Sequence, residues 1–296
     1  MKKFVSHNSA AEYWQIPYMT SVLHPTSGDK LAPTENEHYG VTCRKDRRPS
    51  ADYHCHLNSV ALPPDAIVNT QDRQVASPPL VFLEYASILP FHSLVLLGLQ
   101  MCSHPPGKPE LALTTKQQLS AFVEEMNRRK VRRLRGQPRA LKALKYIENG
   151  SDSIMESLTF MLLTLPQVHG GYGLKGACFN HEIPLTPTAQ RRLGQRRCFV
   201  DLYYPAARLA VEYDSFKHHS TPAEQGKDML RASALERQGI SVMPLSPLQL
   251  YDKLSFEEFA YNLAARLGKR IRNEAKNFDT AHGKIRALLP TAIVPH

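Results

Sequence analysis

Cys198-Phe199-Val200-Asp201-Leu202-Tyr203-Tyr204, then Pro205-Ala206-Ala207, then Arg208-Leu209-Ala210-Val211-Glu212-Tyr213-Asp214, is the stretch whose reading decides the fold. Two runs rich in apolar and aromatic residues flank a short Pro-Ala-Ala turn, which is the pattern of a β-hairpin. Along the second run, a period of two puts Leu209, Val211 and Tyr213 on one face and Ala210, Glu212 and Asp214 on the other. Asp201 sits across the hairpin from them. Three carboxylates gathered at one strand end repel one another unless a cation joins them. Mg²⁺, or Mn²⁺ in its place, is the expected cofactor. Hard divalent ions take oxygen ligands, and Mg²⁺ commonly uses one or two carboxylates while keeping water and substrate phosphate in its other positions. That is the chemistry of phosphodiester hydrolysis.

Upstream of the hairpin, Ser153 to Leu163 reads as an apolar helix closed by Pro166, and Ser153 with Glu156 has the spacing of a capping box. That cap is a sufficient structural reason for Glu156, which is also a candidate site acid. Gly170-Gly171-Tyr172-Gly173-Leu174 reads as a turn-rich connection to a strand around Phe179 to Ile183, which carries Asn180 and Glu182. Arg191, Arg192, Arg196 and Arg197 form a basic cluster leading into the hairpin and are expected to border the same groove, contacting nucleic-acid phosphates. Downstream, Asp228 and Arg231 stand three apart on a helix, the spacing of a pair on one helix face with a structural role. Gly239 ends that helix before a strand that begins Ile240-Ser241-Val242.

Asp201, then Glu212-Tyr213-Asp214-Ser215-Phe216-Lys217-His218, then Asp228-Met229-Leu230-Arg231 and Gly239, taken in that order, resemble the PD-(D/E)XK nuclease superfamily. The likeness is to the branch related to the very-short-patch-repair endonuclease, and it spans about Ser153 to Ser246. It implies a restriction-endonuclease-like mixed sheet flanked by helices. It further implies that Asp201 and Glu212 are metal ligands and Asp214 a further acidic ligand or positioner. His218 would activate water or stabilise charge at the scissile phosphate, with Glu156 as the helix acid. Ser215 stands where that branch has Gly, and Pro244 stands where it often has Arg.

The N-terminal half reads differently. A short helix runs from a cap at Asn8 or Ser9 through Trp14 and ends before Pro17. Loop-rich sequence follows, with a strand-like piece at Tyr39 to Cys43. Ile67-Val68 and Gln74-Val75 flank a polar turn as a hairpin, and Ser77-Pro78-Pro79 opens a helix with proline in its first turn. Helices are expected from there to Asn149, where Asn149-Gly150 supplies turn chemistry and the domain boundary. His54-Cys55-His56 reads as an ordinary strand rather than a metal site, because neighbouring residues of a strand point to opposite faces. Ser9-Ala10-Ala11-Glu12-Tyr13-Trp14, the hairpin and Ser77-Pro78-Pro79-Leu80-Val81-Phe82-Leu83 resemble bacterial proteins related to AbiEi-type antitoxins, a likeness that implies a DNA-binding regulator.

Whole-chain properties bound these readings. With 42% hydrophobic and 22% charged residues, the 296-residue chain has the composition of a folded globular protein of two domains. Its most apolar stretch, Leu80 to Met101, is broken by Glu84, Pro90 and His92, so no membrane span is expected. No signal-peptide apolar segment follows Met1-Lys2-Lys3, and the five cysteines form no CxxC pair, so a cytoplasmic protein with reduced thiols is expected. A net charge of +10 favours a polyanionic partner, nucleic acid and in particular DNA. Arg128-Arg129-Lys130-Val131-Arg132-Arg133-Leu134-Arg135 is the densest basic run, either a solvated helix face or, through Arg128, Arg129, Arg132 and Arg133, a phosphate-contacting surface. The expected fold is α/β: an α+β, mainly helical domain over 1–149 and a nuclease-like mixed-sheet domain with a C-terminal helix over 150–296. The expected function is a metal-dependent DNA endonuclease or nickase in defence or repair. The alternative is a catalytically inactive nucleic-acid-binding regulator of antitoxin type.

Overall fold

The computed structural model describes residues 3–16, 36–48, 50–58, 60–129, 136–214, 222–272 and 275–290. The fold is α/β, with eleven α-helices and two mixed sheets among these residues. The chain divides into two compact units, one of Met1–Ser103 with Leu111–Asn149, the other of His104–Glu110 with Gly150–His296. The segment His104–Glu110 thus leaves the run of its sequence neighbours and belongs to the second unit. Among the described residues, no helix is long and apolar enough to cross a membrane.

In the first unit, strands β1 (Lys3–Val5), β2 (Glu37–Val41), β3 (Tyr53–Leu57), β4 (Ile67–Asn69) and β5 (Gln74–Ala76) form a sheet in the order β3-β2-β1-β5-β4. β4 and β5 are the hairpin that the sequence indicates, antiparallel with Val68 opposite Val75. β2 and β3 run parallel, with His38 opposite His54 and Gly40 opposite His56. The helices are α1 (His7–Tyr13), α2 (Pro78–Tyr85), α3 (Phe91–Met101), α4 (Lys116–Arg128) and α5 (Gln137–Leu144). Pro78 and Pro79 lie at the start of α2, where their missing N–H groups have no intrahelical partner to lose. Ten of the eleven residues of α3 are buried, so this helix is a core element, as its near-continuous apolar sequence requires. Thr115 caps α4 in a complete capping box with Gln118.

In the second unit, β6 (Cys178–Pro184), β7 (Arg197–Tyr204), β8 (Leu209–Tyr213) and β9 (Ser241–Leu245) form a sheet in that order. β6, β7 and β8 are antiparallel neighbours, whereas β8 and β9 are parallel. A parallel pair needs a crossover, and α8 (Pro222–Arg237) is the helix in it. Arg208, at φ 48°, closes the β7–β8 turn and donates through Nε to the Gly239 carbonyl just past α8. The remaining helices are α6 (Ile154–Thr164), α7 (Pro187–Leu193), α9 (Pro247–Tyr251), α10 (Lys253–Arg266) and α11 (Phe278–Arg286). Every residue of α6 is buried. Gly170 takes φ +82°, and a Cβ there would lie 2.3 Å from the His282 backbone nitrogen, so the connection after α6 requires glycine. A buried hydrophobic cluster of this unit contains Ile183, Cys198, Val200, Tyr203 and Ala210 of the sheet with Leu235 of α8.

Candidate functional site

The site grows out of the β7–β8 hairpin. Pairing runs from Tyr204 opposite Leu209 to Leu202 opposite Val211, so the next step along the ladder sets Asp201 beside Glu212. Residues directly opposite in an antiparallel pair share a face, and both carboxylates line one depression of about 560 Å³ together with Asp214, Asp228, Arg231 and Pro244. The three hairpin carboxylates therefore line one depression. Beyond the last backbone pair, an Asp201 carboxylate oxygen accepts the Tyr213 N–H at 2.8 Å, which ties the two strands together where the ladder ends. Asp214 is exposed just after β8, its N–H donating to the Leu245 carbonyl of β9 at 3.0 Å.

Glu156 is close enough to this pair to feel the Asp201 charge. It lies in the first turn of α6, only 7% exposed. The Ser153 hydroxyl accepts its N–H at 3.1 Å, which is half of the capping box. In the other half, the Glu156 carboxylate accepts the Asp152 N–H at 3.0 Å instead of the Ser153 N–H, and it also accepts the Ser153 hydroxyl and the Asn180 amide. Asn180 is the residue that sequence reasoning placed in a strand without a role. It sits in β6 at φ 42°, and its side-chain amide donates to the Gly150 carbonyl at 2.8 Å and to Glu156 at 2.9 Å. Asn tolerates left-handed backbone better than most residues, so an Asn in the middle of an otherwise regular strand was the available signal.

Burial and charge crowding raise two of these acids. Desolvation, then the nearby Asp201 charge, pushes Glu156 up to about 7. Desolvation also pushes Asp201 up to about 6, with the Tyr213 N–H opposing and the Glu212 charge adding to the rise. Arg231 answers part of this negative charge. The expected pairing of Arg231 with Asp228 is not what forms. From α8, Arg231 Nη1 donates to a Glu212 oxygen at 2.6 Å and Nη2 donates to the Phe199 carbonyl of β7. Asp228 lines the same depression. The partly buried Glu212 is a stronger competitor for a guanidinium than an exposed carboxylate one turn away on the same helix.

Among the described residues, no three His, Cys, Asp or Glu side chains converge closely enough to hold a metal ion as they stand. Two features nonetheless suit a hard cation. Asp201 and Glu212 provide oxygen donors side by side, and Glu212 Oε1 is buried without a hydrogen-bond partner. Mg²⁺ commonly takes one or two protein carboxylates and fills its sphere with water and phosphate, so this pair matches that donor demand. His218 lies outside the described residues.

The arginine clusters are placed differently from the sequence expectation. None of Arg191, Arg192, Arg196 and Arg197 lines the acidic depression. Arg192 lines a separate hollow between α7 and α8, with Leu230, Ala234 and Arg237. Helix α8 thus presents one face to the carboxylates and another to α7. Arg197 pairs with Glu182 of β6 at 2.9 Å. In the other unit, Arg128 and Arg129 both pair with Glu125 of their own helix, at 2.9 and 2.8 Å, while Arg132 and Arg133 lie outside the described residues.

The geometry so far is that of an acidic cluster with a buried acid near it and one guanidinium paired to it. Compared with protein-family models, with curated proteins and with solved structures, the chain has no match.

Proposed function

We propose that the Gly150–His296 unit is a metal-dependent DNA endonuclease or nickase of PD-(D/E)XK type, hydrolysing phosphodiester bonds in defence or repair. The observation that carries this reading is the juxtaposition of Asp201 and Glu212 on adjacent strands, with Glu212 Oε1 buried and unpaired. A bound Mg²⁺ or Mn²⁺ would supply Lewis-acid polarisation of the phosphate and a nucleophilic water at neutral pH. In this reading Asp201 and Glu212 are the ligands, Asp214 orients the site from its exposed position, and His218 moves the proton of the attacking water. Glu156, held by Asn180, is the helix acid beside Asp201. The net charge of +10 supports DNA as the polyanionic partner.

A second reading rests on Arg231. Its guanidinium occupies a Glu212 oxygen that a cation needs, as it would in a nucleic-acid-binding regulator of antitoxin type whose site no longer turns over. Supercoiled plasmid incubated with Mg²⁺ or Mn²⁺ separates the two. The endonuclease reading expects nicked or linear product from the wild type and loss of at least roughly a hundredfold in rate in Asp201→Ala and Glu212→Ala. Intact plasmid, with mismatched, branched and single-stranded substrates also uncut, would leave the regulator.

A further inference from the structure

Four histidines from three separate stretches of the sequence meet in the N-terminal unit. His38 of β2 and His54 and His56 of β3 share one sheet face, and His7 at the start of α1 joins them. His38 Nδ1 lies 2.9 Å from His56 Nε2, with the two rings 17° from parallel. The His7 ring stacks on His56 at 3.7 Å between centroids, and His54 lies 4.8 Å from His38. Behind them, from α2, comes Glu84, whose carboxylate accepts the His7 N–H at 2.9 Å and lies 3.5 Å from His7 Nδ1. Arg47 adds a positive charge near His56, and β5, which also packs against α1, carries no titratable residue.

This arrangement has room for a limited number of protons. Two imidazole nitrogens at 2.9 Å form an N–H···N bond only when one carries a proton and the other a lone pair. Protonating both sets two N–H groups against each other in a partly buried space, and stacked His7 would then face a cation across 3.7 Å. Burial and mutual repulsion accordingly lower His7, His38 and His56, His38 to about 4. Burial raises Glu84 to about 7, so this acid is already largely protonated below that pH and offers the imidazoles little compensation. β3 is at the edge of its sheet, paired only with β2. His7, at φ 49°, holds a backbone conformation uncommon outside glycine, which opening would relieve.

We infer that this corner is an acid-operated latch: uncharged imidazoles hold α1 against the β2–β3 edge, and proton uptake releases that edge. The sign follows from linkage. Between about pH 6.5 and 4 the open form binds protons on histidine that the closed form refuses, so opening becomes easier as pH falls. Glu84 works the other way, releasing a proton on opening, because its closed-state value lies above its free one.

Amide exchange of Tyr53–Leu57 and imidazole titration by nuclear magnetic resonance, both on the full chain, test this. After correction for the intrinsic pH dependence of exchange, opening should become at least roughly tenfold easier from pH 6.5 to 5.5, as one net proton per opening requires. His38→Gln/His56→Gln should flatten that dependence, and Glu84→Gln should steepen it by up to about tenfold per pH unit. Protection of β3 that is unchanged down to pH 5, or His38 and His56 titrating near 6.5, overturns the latch. The wild-type titration decides the matter by itself, so a variant that fails to fold at neutral pH does not rescue it.

Discussion

Arg231→Met removes one guanidinium and leaves the apolar stem in place, which isolates the link between α8 and the hairpin. In the wild type the cation sits 2.6 Å from Glu212 with side chains 26% and 20% exposed. A unit charge pair about 3 Å apart at an effective dielectric near 20 attracts by roughly 5 kcal/mol gross, and desolvation of both groups offsets part of that. Removing one partner of a fully buried pair costs roughly 3–5 kcal/mol, so partial exposure brings the expected loss to about 2–3 kcal/mol. The loss includes the Phe199 carbonyl left without its donor. For a unit of this size that corresponds to a Tm lower by roughly 5–10 °C, read by calorimetry on the full chain. In a double-mutant cycle with Glu212→Gln, the coupling should be at least about 1 kcal/mol. Under the proposed function, Mn²⁺ should also raise the Tm of Arg231→Met more than that of the wild type, because a cation then fills the vacated charge position. A Tm within about 1 °C of wild type, with no coupling, would refute the reasoning that this ion pair closes the crossover onto the acidic strands.

Two further perturbations bear on the same unit. Glu156, raised to about 7, is protonated in the fold where it would be ionised in the unfolded chain, so its contribution is present at low pH and lost as pH rises from about 4.5 through 7. Glu156→Gln should therefore match the wild type near pH 5 and exceed its stability by up to about 3 kcal/mol near pH 8.5; a difference that does not vary with pH in chemical denaturation would contradict the burial argument. Gly170→Ala forces a Cβ to 2.3 Å from the His282 nitrogen at φ +82°, so denaturant unfolding should show a loss of more than about 2 kcal/mol, and a change under about 0.5 kcal/mol would show that the turn can move aside.

What could be read from the sequence alone was what a short stretch of chain determines for itself. Residue alternation from Leu209 to Asp214 put Glu212 and Asp214 on one face, and the Pro-Ala-Ala turn returned that strand to Asp201. Ser153 marked the start of α6, the prolines at 78 and 79 that of α2, and Gln74-Val75 the second arm of a hairpin. Each of these depends on spacing within one element or across one tight turn. The partners that cross between elements were not legible. Arg231 pairs with Glu212, nineteen positions earlier on the strand that leads into the crossover, rather than with Asp228 one turn away. Asn180 reaches back to Glu156, α8 separates the α7 arginines from the carboxylates, and a His-Cys-His run that reads as plain strand meets His7 and His38. Periodicity decides which face of an element a side chain occupies. Which faces are then pressed together, and how dry the space between them becomes, depends on packing of elements distant in the chain, and that dryness sets the charge state of Glu156, Asp201, His7, His38 and His56.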